Sequence, residues 1–284
     1  VSNGEATITD CKTTASGALA LPSTLGGSPV TAIGASAFEG CTKVTEITIP
    51  DSVTSIGGKA FYGCTKLTKV TIPDTVVTIG TNTFYGCTAL NSITIPGSIT
   101  NISDKAFYNC SGLDTVTIME GVKTIGVNTF QNCTSLRYVI LPEGLTTISD
   151  YGFMGCKSLV CIALPQSLTT IGNQAFRTCS KLTHVAYAGT ESQWSSIKIG
   201  STQNASLTGA TRHYETALVI ENYCMELKVY CPVCESYLCT KQWSDYEPNP
   251  LPNPIHQFAD ATCAAPKTCS LCGKTEGEKL DYHN

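Results

Sequence analysis

Charge is scarce in this sequence. Lys, Arg, Asp and Glu make up 14% of its 284 residues, and the net charge is −4. The hydrophobic fraction is 42%, so a mainly disordered chain is excluded. Lysines and arginines stand singly, with no basic stripe to neutralise phosphates, which speaks against nucleic acid as a partner. No run of 18 apolar residues occurs, so no segment reads as a membrane span. A signal peptide is also missing. The opening Val1-Ser2-Asn3-Gly4 reads as a mature or trimmed start, and secretion is inferred only indirectly. Neither H-E-x-x-H, G-x-S-x-G, a P-loop nor a paired-carboxylate motif is found, and the four histidines are scattered, which argues against an enzyme.

Cysteine, by contrast, is abundant, with 16 copies, and seven of them are periodic. Cys41, Cys64, Cys87, Cys110, Cys133, Cys156 and Cys179 recur every 23 residues. Three residues before each stands a phenylalanine, from Phe38 to Phe176, and five before each phenylalanine an isoleucine, from Ile33 to Ile171. Three columns in phase over seven units define a repeat. Within one unit, Leu67-x-x-Val70-x-Ile72-Pro73 has strand alternation, with Val70 and Ile72 inward, Thr71 outward and Pro73 ending the ladder. Lys59–Cys64 is expected to form a short helical turn on the opposite side. The column Gly40, Gly63, Gly86, Asn109, Asn132 and Gly155 suits positive φ at the end of that turn. Thr178 breaks the column and is expected to turn differently. A second punctuation column runs Gly34, Gly57, Gly80, Ser103, Gly126, Ser149 and Gly172.

One 23-residue coil cannot bury enough surface to fold, but stacked coils share a continuous core. The fold class is therefore a leucine-rich-repeat solenoid. A parallel sheet forms one face, short helical turns lie opposite, neighbouring strands are about 4.8 Å apart, and a small Cys-rich tail follows. Side chains stacked in parallel point the same way, whereas a disulfide needs converging Cβ atoms. The phased cysteines are accordingly read as small buried core residues rather than as a disulfide or metal ladder.

These columns resemble the BspA-like, Treponema-type leucine-rich-repeat family, whose pattern is I-P-x-S-V-x-x-I-G-x-x-A-F-x-x-C-x-x-L-x-x-I-x. The match covers roughly residues 21–186. The resemblance implies a bacterial cell-surface or secreted protein of adhesion type, binding host proteins or other cells, with no catalytic residues to carry over. After residue 186 the phase is lost, and Trp194, Ile197, Ile199 and Leu207 read as a terminal lid. Residues 1–20 read as the opposite cap, with Ala6–Cys11 as a first strand. The solenoid with its caps is assigned to residues 1–214 and the Cys/His-rich tail to 215–284.

Outward strand positions line one face. Its N-terminal half is rich in Thr, Ser and Asn, with single charges such as Lys69. Its C-terminal half carries Arg137, Tyr138, Ile140, Val160, Cys161 and His184, and apolar or aromatic clusters of this kind mark interaction sites. A protein or glycan partner, host-derived molecules among the candidates, is expected there, on a monomer. The competing reading is a spacer without a ligand, its threonines merely suited to exposed strands. Cys161 and Cys11 lie off the phased column, as paired or free thiols.

The tail divides at the Pro/Asn stretch Glu247–Pro254 into two small halves, each with a C-x-x-C. In the second half Cys269 and Cys272, with Cys263, His256 and His283, are candidate ligands for a tetrahedral zinc ion, and disulfides are the alternative. This half resembles Cys/His-rich modules that follow such repeats in surface proteins of anaerobic bacteria. The first half offers Cys224, Cys231, Cys234 and Cys239 as a weaker metal or disulfide set. Thioredoxin-like redox chemistry lacks the βαβ context it needs.

Overall fold

The structure is a computed structural model, and it describes residues 4–12 and 14–214 with their side chains, together with the backbone of 219–223, 226–231 and 236–242. The chain divides into two units, Val1–Arg212 and His213–Asn284.

The first unit is a parallel solenoid. Each coil contributes one longer strand and one two-residue strand. The longer strands include Val44–Thr48, Lys69–Thr71, Ser92–Ile95, Thr115–Ile118, Tyr138–Ile140, Cys161–Leu164 and His184–Tyr187. They pair in parallel in three groups, Val44–Thr48 with Lys69–Thr71, Ser92–Ile95 with Thr115–Ile118 and then Tyr138–Ile140, and Cys161–Leu164 with His184–Tyr187, each residue opposite the one 23 later, as in Val116↔Val139 and Ile162↔Val185. The short strands form a second row, where Ile33, Ile56 and Ile79 lie in register, as do Ile102, Ile125, Ile148 and Ile171. This second row is not evident from the sequence, because two residues show no alternation.

The three columns form the core. Phe61, Phe84, Phe107, Phe130, Phe153 and Phe176 are fully buried, and successive rings from Phe38 onward stack at 5.1 to 5.4 Å. Such offset stacks add to the area each ring buries. The seven cysteines are buried too. The Cys110 thiol donates to the Phe84 carbonyl at 3.0 Å, and Cys64, Cys87, Cys133, Cys156 and Cys179 repeat that bond one coil apart. These six sulfurs each face a carbonyl of the coil before them and not a neighbouring sulfur, and all seven are free thiols.

The segment opposite the longer strands is not a helix. Its N–H groups alternate. Ala60 and Tyr62 donate back three residues to Gly57 and Lys59, while Lys59, Phe61 and Gly63 donate across to Thr81, Thr83 and Tyr85 of the next coil. Continuing a helix would deny the second set its partners. The alternation needs positive φ twice per coil, at Gly63 (67°) as expected and also at Lys59 (58°). Thr178 has φ 58° like the rest of its column, so the last coil does not turn differently. The second glycine column works otherwise: a Cβ at Gly80 would lie 2.3 Å from the Gly58 nitrogen, so close stacking, not φ, requires glycine there. Among the described residues the only α-helices are Glu191–Ser196 and Ala205–Thr208, both beyond the last coil.

Those helices close the C-terminal end. Thr190 and Gln193 make a reciprocal capping box on the first helix. Trp194, Ile197 and Leu207 are buried, Trp194 meets Tyr187 edge-on at 5.5 Å, and Ile199 continues the short-strand row opposite Ile171. At the other end, Ala6–Ile8 pairs with the strand Ser28–Ile33. In the second unit, Val219–Tyr223, Glu226–Cys231 and Ser236–Gln242 form an antiparallel sheet.

Candidate binding face

Threonine has a structural task on the longer-strand face and its margins. The Thr68 hydroxyl donates to Thr45 O at 2.9 Å and Thr183 to Val160 O at 3.4 Å, and beside the short strands Thr146 and Thr169 make the same coil-to-coil bond to Lys123 O and Thr146 O. These hydroxyls satisfy main-chain carbonyls. The first three coils leave the face open: Glu46, Thr48, Lys69, Thr71 and Asn91 are exposed, and Lys69 stands in register with Glu46.

From Asp114 onward the face is more covered. Asp114, Thr115 and Thr117 are buried. Arg137 donates from Nε to the Asp114 carboxylate, and its guanidinium lies 5.3 Å from the centroid of the Tyr138 ring. Asp114 also accepts from the Thr115 hydroxyl at 3.0 Å. Sequence reasoning passed over Asp114 as a site residue, although an acid one period before Arg137 was a usable signal. Tyr138 and Ile140 are half-buried, Val160 is exposed at 37%, and His184 is half-buried in register with Cys161.

Cys161 requires correction. It was expected to face outward into the patch, but it is buried at 6%. Strand alternation sets the side of the sheet on which Cys161 lies, in register with His184, but not what lies over it. Ala163 and Ala186 are buried as well. The structure therefore brings Arg137, Tyr138, Val160 and His184 together over three consecutive coils, with Ile140 at their edge. Lys69 is separate, three coils from Tyr138.

Of the tail candidates, Cys231 and Cys239 lie on the second unit's strands, where only backbone is described. Cys224, Cys234, His256, Cys263, Cys269, Cys272 and His283 lie outside the described residues. Among the described residues no group of three or more His, Cys, Asp or Glu side chains is placed to hold a metal ion.

A family model for the BspA-type leucine-rich-repeat region matches residues 24–134 and 102–227 in six copies. The chain belongs to the BspA-type leucine-rich-repeat family. Solved members of the same architecture agree with the solenoid. A leucine-rich cell-surface protein from Faecalibacterium prausnitzii is 38% identical with a TM-score of 0.59, over 66% of this chain and 51% of that one. The leucine-rich-repeat protein of T. pallidum is 32% identical with a TM-score of 0.57, over 63% of this chain and 83% of that one. A leucine-rich-repeat protein from Bacteroides ovatus is 31% identical with a TM-score of 0.52, over 69% and 63%. This BspA-type chain thus spans about half the length of the Faecalibacterium protein it matches. No curated protein matches it. BspA-type repeat proteins are typically surface proteins involved in binding. Among the described residues, no helix is long and apolar enough to cross a membrane.

The turn side carries a feature that sequence reasoning missed. Tyr62, Tyr85 and Tyr108, each half-buried, stack at 4.7 and 4.8 Å along a shallow groove of about 640 Å³. Their signal was the residue immediately after each phenylalanine, a column read only as a spacer.

Proposed function

We propose that this chain is a non-catalytic binding module, secreted or held at the cell surface, whose longer-strand face takes a protein or glycan partner. The observation that carries the reading is the change of character on that face. Open rows of threonine give way to Arg137, which is held by Asp114 and set against Tyr138, with the exposed Val160 on the next coil. An arginine and an aromatic fixed by a rigid sheet lose little entropy on binding, and both types are favoured in interface cores. Coils stacked in register supply that rigidity.

The test is a screen of the purified protein against immobilised matrix proteins and glycans, followed by Tyr138→Ala and Val160→Asp. Affinity for the partner so found is expected to fall at least 10-fold, about 1.4 kcal/mol. Unchanged affinity in both variants would favour a spacer that needs no such patch.

For the tail, zinc bound within residues 256–283 by His256, Cys263, Cys269, Cys272 and His283 is proposed from the ligand pattern alone. Metal analysis of the full chain is expected to find one zinc per molecule. An absence of zinc, with those three cysteines resistant to alkylation until reduced, would assign disulfides instead.

A further inference from the structure

The groove on the turn side is independent of the longer-strand face, and its chemistry points to a different kind of ligand. It runs along six consecutive coils, from Lys59 and Tyr62 to Gln174 and Arg177, roughly 24 Å at one strand spacing per coil. That length is too great for one small molecule and suits a polymer lying along the rod.

Three features define the polymer. The first is charge: Lys59, Lys105 and Arg177 line the groove and no carboxylate does, in a chain whose net charge is −4. A channel lined by one sign concentrates the opposite one. The second is spacing. Lys59 and Lys105 occupy alternate coils with Asn82 between them, so the cations recur at roughly 10 Å, twice the coil spacing. A sugar chain whose units are each about as long as a coil is thick, with acids on successive or on alternate units, sets a carboxylate opposite each cation. The third is hydrogen bonding. The phenol row of Tyr62, Tyr85 and Tyr108 continues into Gln131, and Asn82 and Asn128 face it. Phenols and amides both donate and accept, which suits a polyhydroxylated ligand. The stacked rings present their edges and hydroxyls, so no deep apolar pocket is offered to a peptide side chain.

The rows are also held in advance of binding. Lys59 N–H donates to Thr81 O at 2.9 Å and Gly63 N–H to Tyr85 O at 2.8 Å, while the Lys59 ammonium sits 5.8 Å from the Tyr62 ring centroid. Little order remains to be imposed by a ligand.

We propose that this groove binds an extended acidic polysaccharide through its uronic-acid carboxylates and hydroxyls. The test is affinity electrophoresis of the full chain in gels containing polygalacturonate, dextran or poly-L-glutamate, at low and high salt. Selective retardation by polygalacturonate, weakened by salt, is expected. The double variant Lys59→Asn/Lys105→Asn should lose at least 10-fold in affinity at unchanged Tm, because Asn82 and Asn128 already occupy that row at φ 57° and 59°. Tyr85→Gln places in the phenol row the residue already present at Gln131, and it should also weaken retardation. Tyr138→Ala should leave it intact, which separates this site from the longer-strand face. Absence of retardation by polygalacturonate overturns the proposal. So does equal retardation by poly-L-glutamate or by dextran, or a double variant that binds like the parent.

Discussion

Each core thiol serves as a small apolar filler that also donates a weak hydrogen bond. Burial is the main reason these thiols stay neutral. It pushes Cys64 and Cys179 up to about 12 from an ordinary 9.0, and raises Cys87, Cys110, Cys133 and Cys156 well above it. The thiolate is the nucleophile, so a group held neutral and out of solvent is inert. Iodoacetamide on the native protein is expected to spare those six and to modify Cys11, which is only half-buried, with full labelling after denaturation. Native-state modification of Cys110 at the Cys11 rate would refute the buried column. The same shift sets a pH dependence. A pKa raised in the folded state means that folding favours the proton. The stabilisation is therefore complete below 9.0 and is lost as pH climbs from there towards 12, where the unfolded thiols ionise first. Tm should hold level up to about 9 and fall above it, and replacing Cys64 and Cys179 by Ala should make that fall shallower without abolishing it, since Cys87, Cys110, Cys133 and Cys156 remain.

At the scale of the coil, the turn segment decides the geometry. Its two positive-φ positions let alternate N–H groups bond within the coil and across to the next. Thr178 is the exposed, β-branched member of one column, and a β-branched residue at φ 58° is strained. Asn109 and Asn132 fill the same position at φ 58° and 61°. Thr178→Asn is expected to stabilise the protein by roughly 0.5–1 kcal/mol, since asparagine tolerates this region and adds none of glycine's backbone entropy. An unchanged or lowered Tm would show that no strain is stored there. The coil was legible in the sequence wherever one residue type filled a column: Phe, Ile, Cys, and the Gly/Asn position. Legibility failed where the backbone imposed a conformation on unlike residues. Ser36, Lys59, Asn82, Lys105, Asn128, Tyr151 and Gln174 share positive φ but no chemistry. The Phe-x-x-Cys spacing also imitated one turn of a helix, because a single i+3 bond has the same period. On the binding face, Tyr138 and Arg137 were readable as outward strand residues. The burial of Cys161 was not, since alternation along a strand fixes a side and not what covers it.

In the whole molecule, stability is shared between neighbours along one dimension, so the ends carry a burden that no internal coil has. Within the rod, the Phe153 N–H donates to Ala175 O of the following coil. Phe176 has no following coil. Its N–H donates instead to the Asn204 side-chain oxygen at 3.1 Å, while the Asn204 amide nitrogen donates to Gly172 O at 2.9 Å. One buried side chain thus replaces the main chain of the next repeat, beneath a lid of Trp194 and Leu207. Asn204→Ala leaves the Phe176 N–H buried without an acceptor, at a cost of about 1–3 kcal/mol. Asn204→Asp keeps that acceptor but sets a buried carboxylate against the Gly172 and Gly200 carbonyls that the amide now serves, so it should cost at least as much as the alanine. In a linear stack the damage stays local. Hydrogen exchange should quicken first at Phe153 and Phe176, while the amides of Phe61 and Phe84 keep their protection. Equal loss of protection along the rod would mean that the coils unfold as one block, and that closing the end stabilises the whole stack and not just its last repeat.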